Sequence, residues 1–141
     1  MDSDLNPIDI RKGDPVAAIL IVDDSAFQRK RVLEALRPEG YTLQEAINGA
    51  LALSALNERT FECVVTDLVM PEMDGFGLLA AMRERGIKTP VLVVTADIQK
   101  TTQNRCEELG ARHIIKKPFA AADLRSAVAE SLASAEETPC N

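Results

Sequence analysis

Apolar residues come in short blocks along this chain, and several of those blocks stop at a residue that carries charge or a hydroxyl. Ala18-Ile19-Leu20-Ile21-Val22 is apolar throughout and stops at Asp23-Asp24, which predicts a strand buried on both faces. Ser25 to Leu36 places Val32, Leu33 and Leu36 on one helical face, and Pro38-Glu39-Gly40 ends it. Tyr41 to Ala46 predicts a weak second strand, broken by Asn48-Gly49, with an Ala/Leu-rich helix over Ala50 to Glu58. Phe61 to Thr66 runs as a third strand into Asp67, and Asp74 to Arg85 is the following helix, closed by Gly86. Thr89-Pro90 opens a fourth buried strand, Val91-Leu92-Val93-Val94, ending at Thr95. Ile98 to Leu109 is helical up to Gly110, His113 to Lys116 is a short fifth strand, and Ala120 to Leu132 is a last helix with Leu124, Val128 and Leu132 on its stripe.

Five apolar strands alternating with five helices indicate an α/β domain whose parallel sheet is covered on both faces. The domain spans 17–133. Residues 1–16 and 134–141 lack periodicity and are expected to be a flexible arm and a flexible tail.

Composition narrows the function. A chain of 141 residues, 46% of them hydrophobic, supports one core. No apolar run approaches the roughly 20 residues that span a bilayer, and the start lacks the pattern of a secretory signal. A cytoplasmic protein away from membranes is expected. The net charge of −6 argues against nucleic acid as a partner. The densest basic run, Arg29-Lys30-Arg31, reads as a solvated helix face. Cys63, Cys106 and Cys140 have no pairing or metal spacing and read as reduced thiols, with Cys63 a small core residue. His113 is the single histidine, so neither a multi-histidine metal site nor a second-histidine triad is open to this chain. It reads as a strand-end residue without a catalytic role.

In open α/β sheets, ligands bind beyond the carboxyl ends of the strands. Those ends carry Asp23 and Asp24, Asp67, Thr95 and Lys117. Packing gives no reason for polar residues to recur at four such ends. Two carboxylates about 5 Å apart repel by about 3 kcal/mol at an effective dielectric near 20, so three together need a cation or raised pKa values. Hard oxygen donors with room for water suit Mg²⁺. Lys117 adds a point charge for a phosphoryl oxygen and Thr95 a hydroxyl donor. The set fits phosphoryl transfer onto a carboxylate, forming an aspartyl phosphate.

Val22-Asp23-Asp24-Ser25, the string Asp67-Leu68-Val69-Met70-Pro71-Glu72-Met73-Asp74-Gly75, Thr95-Ala96 and Lys117-Pro118-Phe119 resemble, in order and spacing, the motifs of response-regulator receiver domains. The resemblance covers roughly Ala18 to Leu132. It implies a flavodoxin-like, doubly wound sheet in the order 2-1-3-4-5. It further implies that Asp67 is the phosphoacceptor, that Asp24 is a direct Mg²⁺ ligand with Asp23 acting mainly through water, and that the Val69 carbonyl is the third protein ligand. Mn²⁺ can substitute for Mg²⁺. Thr95 is similar to the family's switch hydroxyl and Lys117 to its lysine, with a cis bond to Pro118; Lys116 points outward. Pro71 is expected to fix the loop and Gly75 to permit a tight turn before the helix. Such a domain takes its phosphoryl group from a histidine kinase or histidine phosphotransfer protein and signals to a downstream protein, as a monomer or as a phosphorylation-dependent dimer. It is not a turnover enzyme, and catalyses only its own phosphorylation and dephosphorylation.

Two features depart from the commonest pattern. Ile114 stands where the family often has Tyr or Phe, so an inward-moving ring is not the readout. Val69 and Asp97 occupy positions that tune phosphoryl lifetime; Val69 has no side chain to position water, whereas Asp97 has one. The thin stripe Ile98, Thr102, Cys106 and Leu109 predicts a weakly anchored helix, and phosphorylation is expected to reshape the surface it forms with the fifth strand and last helix. Phe27 falls opposite the core face of the first helix. There it either docks a phosphotransfer helix or folds onto the neighbouring loop.

Three functions compete. A stand-alone receiver is expected because no further domain follows Leu132. A receiver module of a larger regulator or hybrid kinase is the second reading. An aspartate-nucleophile, Mg²⁺-dependent phosphatase is the third; such enzymes place an acid two residues after the nucleophile, where this chain has Val69.

Overall fold

The computed structural model describes residues 16–137, and within them β and α elements alternate as the apolar blocks predict. In chain order they are β1 (Ala18–Val22), α1 (Ala26–Leu36), β2 (Thr42–Ala46), α2 (Gly49–Glu58), β3 (Cys63–Thr66), α3 (Gly75–Glu84), β4 (Val91–Thr95), α4 (Lys100–Glu108), β5 (His113–Lys116) and α5 (Ala121–Glu137). The strands form one parallel sheet in the order β2-β1-β3-β4-β5. The order reverses between β1 and β3, so the carboxyl ends of those neighbouring strands open a crevice.

Strand alternation sorts the core into two layers. Leu20, Val22, Val64 and Val93 face one side, against Leu53, Leu78, Met82 and Cys106 of α2, α3 and α4. Ile19, Ile21, Val65, Leu92 and Val94 face the other, against Val32, Leu36, Leu124 and Val128 of α1 and α5. Every residue of β1, β3 and β4 is buried, which is why those stretches read as unbroken apolar runs. Cys63 is fully buried, and that burial pushes its thiol up to about 12.

Element ends differ from expectation where caps act. Ser25, Asn48 and Asp74 each accept an N–H from the first helical turn that follows them, so α1, α2 and α3 begin just after these residues. α5 continues to Glu137, past the expected end at Leu132 and into the segment read as a tail. Ala133, Ala135, Glu136 and Glu137 favour helix, and no breaker stands before Pro139. The rest of the expected arm and tail, 1–15 and 138–141, lies outside the described residues, as does Cys140. Among the described residues, no helix is long and apolar enough to cross a membrane.

Candidate functional site: an acidic cluster at the carboxyl edge of the sheet

Strand pairing decides which side chains meet. β1 and β3 are neighbours, with Val22 beside Thr66, so the residues that follow them, Asp23 and Asp67, emerge side by side. The backbone confirms the register: Asp67 N–H donates to Val22 C=O at 3.0 Å. On the other side, Lys117 N–H donates to Thr95 C=O at 2.9 Å, which brings the end of β5 to the end of β4. Thr66, buried in β3, donates its hydroxyl to Asp67 C=O at 2.8 Å and steadies the turn.

The carboxylates of Asp23, Asp24 and Asp67 offer oxygens within 4.8 Å of one another. Lys117 Nζ lies 3.4 Å from Asp23 Oδ2 and 3.4 Å from Asp67 Oδ2. Asp23 is buried, Asp67 is half-buried and Asp24 is open to solvent. Each inner carboxylate also holds a backbone N–H: Asp23 Oδ1 accepts from Ser25 at 2.9 Å and Asp67 Oδ1 from Leu68 at 2.8 Å. Burial raises the Asp23 pKa, against the pull of the Ser25 N–H and of Lys117, and the Asp67 charge adds to the rise. One ammonium, beside two of the three carboxylates, leaves the cluster with an excess of negative charge. The excess of negative charge, carried entirely by hard oxygen donors, fits a small divalent cation such as Mg²⁺.

The other predicted residues fall around this cluster. Thr95 is buried at the end of β4, with its hydroxyl accepting the Asp97 N–H at 3.1 Å. The Asp97 carboxylate is turned to the start of α4, onto Gln99 N–H and the Thr102 hydroxyl. The Val69 side chain is 77% exposed in the loop after Asp67. The Lys117–Pro118 peptide bond is cis, and Lys116 is exposed. Ile114 is half-buried on the side of α2, α3 and α4. His113, at the opposite end of β5, lies 3.6 Å from Glu130.

Two expectations need correction. Gly75 does not have the positive φ that a turn glycine would need; in this loop Glu72 has it, at 72°. Gly75 is required for space, because a Cβ there would stand 2.5 Å from Asp67 O and 2.9 Å from Leu68 Cα. Arg29 is not part of a solvated face. Its guanidinium donates to Asp23 C=O at 2.8 Å and to Glu45 at 2.7 Å, tying α1 to the loop that carries the acids. Nothing in the sequence separates Arg29 from Lys30; the difference arises from where the helix docks.

Phe27 is 65% exposed beside the site. The Arg31 guanidinium stands 5.9 Å from its ring centre and 5.8 Å from that of Phe119, so cation and rings form one surface next to Lys117.

Known proteins are similar to this chain. A family model described as the response regulator receiver domain matches residues 19–129. Over 100 residues the chain is 35% identical to the sensor histidine kinase RcsC of Escherichia coli, which covers 71% of this chain and 10% of that protein. Over 101 residues it is 37% identical to the transcriptional regulatory protein SrrA of Staphylococcus aureus, covering 72% of this chain and 42% of that one. The chain thus spans less than half the length of either relative. Among solved structures, the chemotaxis protein CheY4 of Vibrio cholerae is similar with a TM-score of 0.79 at 30% identity, covering 84% of this chain and all of that one. With its fold, its strand-end acids and its lysine in the places the family model spans, the chain belongs to the response regulator receiver domain family of two-component signalling.

Proposed function

We propose that this domain accepts a phosphoryl group on Asp67 from the phosphohistidine of a kinase or phosphotransfer protein, and signals by contact with a downstream protein. The observation that carries the reading is the convergence of Asp23, Asp24 and Asp67 within 4.8 Å beside the Lys117 ammonium. In the transfer, a carboxylate oxygen of Asp67 bonds to phosphorus as the bond from phosphorus to the donor imidazole breaks; that bond's electron pair stays on the ring nitrogen, and a proton from solvent gives the neutral imidazole. Asp23, Asp24, Asp67 and the Val69 carbonyl would hold Mg²⁺, or Mn²⁺ in its place. When bound, the cation offsets the acidic charge and that of the phosphoryl oxygens.

This chain's own groups do the rest. Lys117, held between Asp23 and Asp67, supplies positive charge to a phosphoryl oxygen. Thr95 donates its hydroxyl to another, after turning from Asp97. The acceptor sits at a half-buried position, where water is partly excluded and charge interactions are stronger than in bulk. Phe27 and Arg31 form the docking surface for the donor helix. Output leaves through α4, β5 and α5, because α4 is anchored by the single buried residue Cys106 and shifts at low cost. The domain works in the cytoplasm, away from membrane and nucleic acid, and as a monomer or phosphorylation-dependent dimer.

As a single-domain relay the protein would resemble CheY4, which this chain covers in full, and as a module of a longer regulator it would resemble SrrA, of which it covers 42%. The domain has no turnover activity beyond its own phosphorylation and dephosphorylation. Loading with acetyl phosphate and Mg²⁺ tests acceptor against phosphatase. One phosphoryl group per chain, with no sustained hydrolysis of a generic phosphomonoester, is expected; many turnovers per minute would favour the phosphatase.

A further inference from the structure

A hydrogen-bonded chain leads from the site to α4 through Asp97, whose side chain is turned away from the acceptor. Asp97 N–H donates to Thr95 Oγ1 at 3.1 Å. Asp97 Oδ1 accepts the Gln99 N–H at 3.1 Å, and Oδ2 accepts the Thr102 hydroxyl at 2.8 Å. Thr102 lies in the first turn of α4. One residue therefore joins the Thr95 hydroxyl to the beginning of a helix.

Apart from the Gln103 side-chain amide, which donates to Ile98 C=O at 2.9 Å, the start of that helix has little else to hold it. Its N-cap, Gln99, makes no side-chain cap bond, and no acidic residue stands in its first turn. A helix start leaves four N–H groups without intrahelical partners and carries partial positive charge, so a carboxylate beside it is favourable. Asp97 supplies that carboxylate from outside the helix. Both of its oxygens are engaged with this turn rather than aimed at the acceptor, so a role in positioning water at Asp67 is not the one its geometry supports.

Resting on the reading of Asp67 as phosphoacceptor, we propose that Asp97 is a positioning residue that makes the orientation of the Thr95 hydroxyl and the docking of α4's first turn depend on each other. With its oxygen accepting the Asp97 N–H, Thr95 is held in its present orientation. Turning the hydroxyl toward a phosphoryl group on Asp67 breaks that bond. The freed Asp97 backbone then shifts, and the carboxylate slackens its grip on Gln99 and Thr102. Such a coupling is reciprocal: loosening α4 must also free Thr95. The carboxylate's bonds to Gln99 and Thr102 face solvent, so each contributes at the low end for a hydrogen bond, and the coupling is modest.

Residue-resolved amide exchange on the full chain, without phosphorylation, reads the coupling directly. Thr102→Val removes the hydroxyl and keeps the shape. It is expected to speed exchange of the Asp97 N–H about threefold, while Thr102→Ser behaves as wild type. Thr95→Ala is expected to speed exchange across the first turn of α4 by a similar factor. In a second readout, Thr102→Val gains phosphate from acetyl phosphate about threefold faster than wild type, and this gain disappears in the Thr95→Ala background. Exchange changes confined to the substituted residue, or a rate effect that persists without the Thr95 hydroxyl, would overturn the proposal. A wild-type chain that takes up no phosphate but shows the exchange coupling would sink the phosphoacceptor reading and leave the link intact.

Discussion

Lys117 Nζ stands 3.4 Å from Asp67 Oδ2, with both side chains largely shielded from solvent. The ammonium is thus already next to the atom that is to carry a phosphoryl group, and it also opposes a metal ion for the same carboxylates. Lys117→Met removes the charge and keeps most of the stem. Phosphate uptake from acetyl phosphate should slow about a hundredfold, while Mg²⁺ binding, followed as a shift in Tm, stays equal or tightens. A variant that binds Mg²⁺ more weakly would make the lysine an organiser of the metal site instead.

Asp23 gives a pH signature in the absence of metal. Burial raises its pKa above the ordinary 3.8, so the folded protein binds this proton more tightly than the unfolded chain does. Stability therefore falls as pH rises from 3.8 through the raised folded value, and the loss is complete above it. Asp23→Asn keeps an acceptor for the Ser25 N–H and removes the charge. Its metal-free Tm at neutral pH should exceed wild type by about 4 °C, with the acid-side part of the profile flattened. An Asn variant that melts below wild type would show that the charge contributes more than it costs.

Gly75 and Gly77 form a matched pair. A Cβ at Gly75 would stand 2.5 Å from Asp67 O, whereas at Gly77 it would meet side-chain atoms alone, Met73 Cγ at 3.1 Å and Asp74 Oδ1 at 3.4 Å. Gly75→Ala should cost about 2 kcal/mol in chemical denaturation and slow phosphate uptake, because the backbone of the acceptor must move. Gly77→Ala should be neutral or slightly stabilising. Equal effects at the two positions would remove the argument from close approach.

Phe27 separates docking from chemistry. Phe27→Ala should slow transfer from a cognate phosphohistidine protein about tenfold or more, while uptake from acetyl phosphate, which needs no docking surface, stays unchanged. An unaltered protein-to-protein rate would make the exposed ring a local partner of Arg31 and nothing more.

Most of the fold could be read from the chain because β1, β3 and β4 are buried on both faces, and burial of that kind leaves an unbroken apolar run ending at a polar residue. The acids and Thr95 were legible for the same reason, since they stand where such runs stop, whereas Lys117 follows the short, half-buried β5 and stood out by its place before Pro118. Details set by side chains acting across the fold were not. Arg29 reaches Asp23 only because α1 packs where it does, and Asp97 serves α4 only because Thr102 comes round to meet it. Gly75 was recognised as necessary but for a turn, when the reason is the carbonyl of Asp67 above it. α5 outlasted its apolar stripe because helix propensity continued after the stripe ended.

The most direct measurement is intact mass after incubation with acetyl phosphate, for wild type and Asp67→Asn, each with Mg²⁺ and with a chelator. Wild type with Mg²⁺ should gain the mass of one phosphoryl group, and the other three samples should gain none. An equal gain by Asp67→Asn would put the phosphate on another residue, and a wild type that stays unmodified with Mg²⁺ present would mean that the cluster of Asp23, Asp24 and Asp67 is not a phosphoacceptor site.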